Sequence, residues 1–189
     1  MKKFELTSEF NLNFFGRKFF RIKALVNIER YGVKAGDLGG WVEKEDNLSQ
    51  SGNAWVSGNA VVYGNAKVSG SAWVYGDAKV SGSAWVYGDA KVSGNAVVYG
   101  DAKVYGDAVV YGNADYAVIK GFGTVYRPTT FFRCHDGEAR VTCGCFYGTI
   151  DEFREQVKRT RKGKVADEYL KIADLMEYHF KKEDSGENV

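Results

Sequence analysis

From Gln50 to Asp115 the apolar positions recur every six residues. Valine opens ten hexads, at Val56, Val62, Val68, Val74, Val80, Val86, Val92, Val98, Val104 and Val110, and Gln50 opens the first. Alanine holds the fifth place in all eleven, from Ala54 to Ala114, and glycine the third, from Gly52 to Gly112. The stretch SGSAWVYGDAKV at 69–80 returns unchanged at 81–92. A helix would need apolar residues at a period near 3.6, which six does not fit. A hexapeptide period is the mark of a parallel β-helix. Each hexad then supplies a short strand and a corner. Val and Ala point inward and stack on their equivalents, while Gly followed by Asn, Asp or Ser turns the corner, where positive φ is tolerated.

Three hexads per coil make a triangular prism in which residues eighteen apart stack. The sixth position of each hexad points outward. One row carries Trp55, Trp73, Lys91 and Val109, a second Val61, Lys79, Val97 and Asp115, and the third Lys67, Trp85 and Lys103. Stacked strands lie ~4.8 Å apart, so the two tryptophans of the first row meet. Aromatic residues suit strands in any case. An exposed apolar row also marks an interface. Trp55, Trp73 and Val109, with Tyr87 and Tyr105 of the tyrosine rows, are the expected oligomer interface, and a homotrimer closes such a prism naturally.

The flanks read differently. Residues 1–49 predict a β-hairpin turning at Gly16 and a cap, with Gly36-Asp37-Leu38-Gly39-Gly40-Trp41-Val42 leading into the first coil. These glycines are read as turn and capping residues, not a phosphate cradle, because no Lys-Ser or Lys-Thr follows them. Residues 116–183 predict a small α+β domain. Asp136-Gly137 is a two-residue hairpin signal. Thr149 and Glu152 have capping-box spacing, with Ile150, Phe153 and Val157 on one helix face. A second helix follows Gly163, with Tyr169, Ile172, Ala173, Met176 and Phe180 on one side. Residues 184–189 read as a frayed tail. The fold expected is mainly β: a left-handed parallel β-helix at 50–115 between an N-terminal β cap and this C-terminal domain.

The hexad period resembles that of left-handed hexapeptide-repeat proteins, with the glycine one place later than is usual there. The lead-in Gly36 to Glu43, Asn47-Leu48-Ser49, the hexads, and the ending Cys143-Gly144-Cys145-Phe146 with Gly148-Thr149 and Glu152-Phe153 together resemble uncharacterised left-handed β-helix proteins of bacteriophages and prophages. That resemblance implies a phage-encoded protein acting inside a bacterium, possessing no assigned catalytic residues. Its context suggests an antagonist of host defence. A structural phage component is the other reading of the same context.

Composition narrows the function classes. The net charge of +2 announces neither nucleic acid nor a membrane surface, and no apolar run approaches a membrane span. MKKFELTSEF lacks the apolar core of a signal peptide, and three cysteines without an export signal suit a reducing cytoplasm. Hexapeptide acyltransferases use a histidine base at a subunit interface, but the only histidines here, His135 and His179, lie outside the repeat, which weighs against that enzyme class. Cys134, His135, Cys143 and Cys145 on one hairpin, with His179, are a candidate zinc set, but lack finger-like spacing, so neither metal nor cofactor is expected. A cysteine nucleophile beside a histidine is a further reading with less support.

Charge gives the remaining candidate. Arg154, Lys158, Arg159, Arg161, Lys162 and Lys164 crowd the end of the first C-terminal helix. They read either as a solvated helix end complementing the dipole or as an anion site. Arg127, Arg133 and Arg140 add to it, and Tyr126 and Tyr147 are placed to stack a base. Along the prism Lys67, Lys79, Lys91 and Lys103 alternate with Asp77, Asp89, Asp101 and Asp107, which argues against a nucleic-acid stripe there. The expectation is a non-enzymatic binding protein that blocks or sequesters a host component: a host protein, or a small anionic ligand such as a signalling nucleotide.

Overall fold

Each rung of the repeat is a two-residue strand, the ten running from β4 (Trp55–Val56) to β13 (Val109–Val110), in a computed structural model that describes residues 2–181. The tail at 184–189 and the last two residues expected in the C-terminal domain lie outside the described residues. The rungs pair in parallel. Trp55 lies on Trp73, Trp73 on Lys91 and Lys91 on Val109. Val61 lies on Lys79 and Lys79 on Val97, and Lys67 on Trp85 and Trp85 on Lys103. The repeat is therefore a parallel β-solenoid. The ladder is carried by bonds such as Trp73 N to Ala90 O and Tyr75 N to Val92 O, both 2.9 Å. Val56 to Val110 and Ala54 to Ala108 are fully buried at their repeat positions. Each buried valine contributes roughly 1.5–3 kcal/mol of transfer free energy, which offsets the cost of ordering the short rungs.

The ten corner glycines from Gly52 to Gly106 sit at φ between 60° and 71°. At Gly82 a Cβ would also lie 2.8 Å from Gly100 N, so glycine serves both backbone angle and coil spacing there. The eleventh hexad departs from expectation. Gly112 is extended at φ −149°, Asn113–Asp115 form a 3₁₀ turn, and Ala114 is exposed. The Asp115 carboxylate accepts from Tyr111 N and Gly112 N, each at 2.9 Å, and ends the coil. The first hexad departs for a similar reason. Gln50 accepts from Lys3 N and Phe4 N and donates to Phe4 O, so its side chain joins the N-terminal strand where a valine could not.

The N-terminal hairpin pairs β1 (Phe4–Leu12) with β2 (Lys18–Ala24) around Gly16. Strand β3 (Leu38–Val42) joins β2 antiparallel and the Val61–Val62 rung in parallel, so the cap continues one face of the solenoid. A Cβ at Gly39 would meet Ile22 at 2.5 Å and the Trp55 ring at 2.7 Å. Gly36, at φ 98°, fits the expected turn role, whereas Gly39 and Gly40 lie inside β3 and serve close packing instead.

Beyond the coil, β14 (Tyr116–Ile119), β15 (Thr129–Arg133), β16 (Ala139–Cys143) and β17 (Phe146–Thr149) form one antiparallel sheet in chain order. Its two faces serve two cores. Tyr116, Phe132 and Cys134 close the end of the solenoid core. Phe131 and Val141 pack with Phe153, Tyr169, Ile172 and Met176 of helices α1 (Ile150–Thr160) and α2 (Gly163–Phe180). The expected capping box is present: Glu152 N donates to Thr149 Oγ1 at 3.1 Å and Thr149 N to Glu152 Oε2 at 2.7 Å. Strands β14 and β17 were not foreseen. Among the described residues no helix is long and apolar enough to cross a membrane.

Candidate functional site

The apolar row of the prism is covered from within the chain. Trp55 is 1% exposed, beneath the Gly39 lead-in. Tyr31 stacks on Trp73 with ring centroids 4.7 Å apart and donates its hydroxyl to Ser71 O, while Trp73 Nε1 donates to Ser57 Oγ at 2.9 Å. Val109 is 8% exposed. The N-terminal segment thus covers Trp55 and Trp73, while Val109 is buried where the last rung meets β15. Tyr87 and Tyr105 stack on each other at 4.6 Å, and Tyr105 meets Tyr147 at 4.6 Å with the rings tilted by 37°. These tyrosines knit the coil to the C-terminal sheet, and burial pushes both phenols up. Of the expected interface residues, Trp55 and Val109 are therefore buried within the chain itself, and Trp73, Tyr87 and Tyr105 are half-buried.

Most of the expected anion-site cations are already neutralised. Arg133 pairs with Asp115 at 3.3 Å and lies over the Phe180 ring. Arg140 pairs with Asp136 at 2.5 Å. Arg154 reaches Asp151 at 2.7 Å, Asp174 at 2.9 Å and Glu177 closer still. The cavity beside Arg154, about 600 Å³, is also lined by Asp136 and Glu138, which makes it acidic and wrong for an anion. Lys158 pairs with Glu155 at 2.8 Å, and Arg159 donates to Gln156 Oε1 at 2.5 Å. Sequence reasoning missed these partners because Asp174 and Glu177 come from α2 and Asp115 from the end of the coil.

Three of the seven, Arg127, Arg159 and Arg161, have no carboxylate partner among the described residues. Of these, Arg127 and Arg161 line one cavity of about 240 Å³, and Arg161 also donates to Thr160 O at 3.2 Å. Its other walls include Phe146, Phe153, Val157 and Tyr169, with Gln156, Thr160, Cys143 and Cys145. Arg127 comes from the loop before β15 and Arg161 from the C-cap of α1. Tyr126, beside Arg127, holds φ 51°, an uncommon angle for a non-glycine residue. Burial, and then the neighbouring Cys143, push the Tyr169 phenol up, so it stays protonated and donates to Phe122 O at 3.3 Å. The site therefore joins two guanidinium groups that have no carboxylate partner among the described residues to an aromatic floor. Tyr147 lies on the solenoid side of the sheet, away from this cavity.

The cysteine and histidine set does not converge. Cys134 belongs to the solenoid core and Cys143 packs against the helix core, on opposite faces of the sheet. Gly144 and Cys145 form the turn between β16 and β17, so Cys145 lies off the strand that carries Cys143. His179 contacts Ala114 O at 3.1 Å. No group of three metal-ligating side chains occurs among the described residues. Burial, then a hydrogen bond with Asp107, push the Cys134 thiol up to about 12, which withholds the thiolate a nucleophile requires.

One family model, the YdcK beta solenoid repeat, matches residues 62–76. The match falls inside the coil and supports a β-solenoid repeat protein. No curated protein matches the chain.

Proposed function

We propose that the protein is a non-enzymatic binding protein that holds a small anionic ligand between Arg127 and Arg161. The carrying observation is that these two arginines share a cavity while Arg133, Arg140, Arg154 and Lys158 are spent on carboxylates. Guanidinium groups grip phosphate oxygens by paired hydrogen bonds. Phe146, Phe153 and Tyr169 supply an apolar surface for an aromatic body. At about 240 Å³ the cavity lies just under the ~300–1,000 Å³ typical of small-molecule sites, which favours a nucleoside monophosphate over anything larger. On this reading the solenoid is a left-handed coil of three hexads per turn. It serves as a rigid mount for a module that sequesters a host nucleotide, in keeping with the phage resemblance and a cytoplasmic setting.

Calorimetric titration with adenosine and guanosine monophosphates, inorganic phosphate and uncharged nucleosides tests this. The parent is expected to bind a monophosphate and not the nucleoside, less tightly as salt rises. Arg127→Gln with Arg161→Gln should weaken binding about tenfold or more, with Tm unchanged. Equal binding by parent and double variant, or no binding of any anion by the parent, would sink the proposal.

A further inference from the structure

We propose that the tip of the β1–β2 hairpin inserts into the surface of an anionic lipid bilayer. Phe14 is 97% exposed and Phe15 87%, and their rings meet edge to face at 5.5 Å. Behind them Leu12 and Phe10 also stand exposed, at alternate positions of one strand face. Phe19, on the other face, packs on Tyr63. The pairing of β3 with β2 has its last rung at Phe20 and Val42, so the hairpin end runs on past the sheet. The apolar surface thus leads at a narrow tip and does not lie in a groove.

The turn is built for a medium poor in hydrogen-bond partners. Asn13 Oδ1 accepts from Phe15 N at 3.0 Å and Arg17 N at 2.9 Å. Gly16 N donates to Asn13 O at 3.0 Å and Asn13 N to Arg17 O at 3.1 Å. Four amides of the turn, at Asn13, Phe15, Gly16 and Arg17, are satisfied within it, so burying the tip in lipid leaves none of these four without a partner. A protein cleft would instead use free backbone groups to set register.

Charge selects the surface. Residues 10–21, the outer half of the hairpin, hold Arg17, Lys18 and Arg21 and no carboxylate, whereas Lys2, Lys23 and the buried Lys3 lie at its base. Arg17 is held by Glu43 at 3.0 Å, and Lys18 lies 4.5 Å over the Phe10 ring, just behind the tip. Apolar rings ahead and cations behind match the order of acyl chains and anionic headgroups. A second copy of the hairpin would bring the same cations face to face.

The test is co-sedimentation of the full chain with phosphatidylcholine vesicles, with and without phosphatidylserine. The parent should sediment with the phosphatidylserine vesicles. Phe14→Ser with Phe15→Ser should lower that partitioning roughly 10- to 100-fold with Tm unchanged. Lys18→Glu should narrow the difference between the two vesicle types. A parent that stays in the supernatant overturns the proposal and assigns the tip to a protein cleft. So does sedimentation of the double serine variant equal to the parent's. A doubled mass in light scattering that the serine variant abolishes, without vesicle binding, overturns it in favour of a second copy.

Discussion

The solenoid and the C-terminal domain both bury aromatic-rich sequence, yet they do so on opposite terms. Inside the coil, valine and alanine alternate at nearly zero exposure, and each meets its own kind in the next turn. Inside the C-terminal domain the core is assembled from single large side chains, such as Phe131, Phe153, Tyr169 and Met176, each with its own neighbours. Charge follows the same division. Along the coil lysines and aspartates alternate with the period, whereas the domain gathers carboxylates from three elements around its arginines. A periodic core has room for nothing larger, and an aperiodic core depends on what is already large.

Removing bulk from the aperiodic core should break it most. Phe153 is 3% exposed and touches the rings of Phe131, Phe146 and Tyr169. Phe153→Ala is expected to cost ~3–5 kcal/mol in denaturant melts. An unchanged midpoint would mean that the ring is not a keystone of that core.

Adding bulk is the matching test in the coil. Ala84 is fully buried, with Ala66 and Ala102 eighteen residues to either side. Ala84→Leu should cost ~1–3 kcal/mol through overpacking, read by thermal melting. Lys79→Leu, on the outside, should melt close to the parent. The reverse order would refute the assignment of inside and outside.

The smallest effect separates backbone angle from coil spacing. Gly82 and Gly100 have φ of 69° and 70°, but a Cβ at Gly82 meets backbone of the next turn while one at Gly100 meets nothing within 4 Å. Gly100→Ala should therefore show the left-handed strain alone, ~1–2 kcal/mol. Gly82→Ala should exceed it by ~1 kcal/mol. Equal melting temperatures would leave coil spacing without a role for the glycines.

Much of the fold was legible because the repeat states each contact many times. The period placed the rungs, the Gly16 and Asp136-Gly137 turns placed two hairpins, and Thr149 with Glu152 placed the start of α1. Strands β14 and β17 escaped notice because they are four residues long and lie against sequence without alternation. The site was legible only as a list of cations. Arg127 and Arg161 resembled Arg154 in sequence, and the difference lies in carboxylates up to twenty-three residues away. The hairpin tip went unread because net charge averages the basic first strands with the rest of the chain.

The sequence by itself determined the solenoid, its inward residues and the two helices. Those follow from short-range periodicity, corner chemistry and capping, which act within one repeat or one turn. Only the tertiary structure decided which outward residues stayed outward. Tyr31 closes over Trp73, Asp174 and Glu177 close over Arg154, and none of the described residues closes over Phe14 and Phe15. Burial and ion pairing at a surface depend on what the rest of the chain brings there, and no local pattern of apolar and polar residues encodes that.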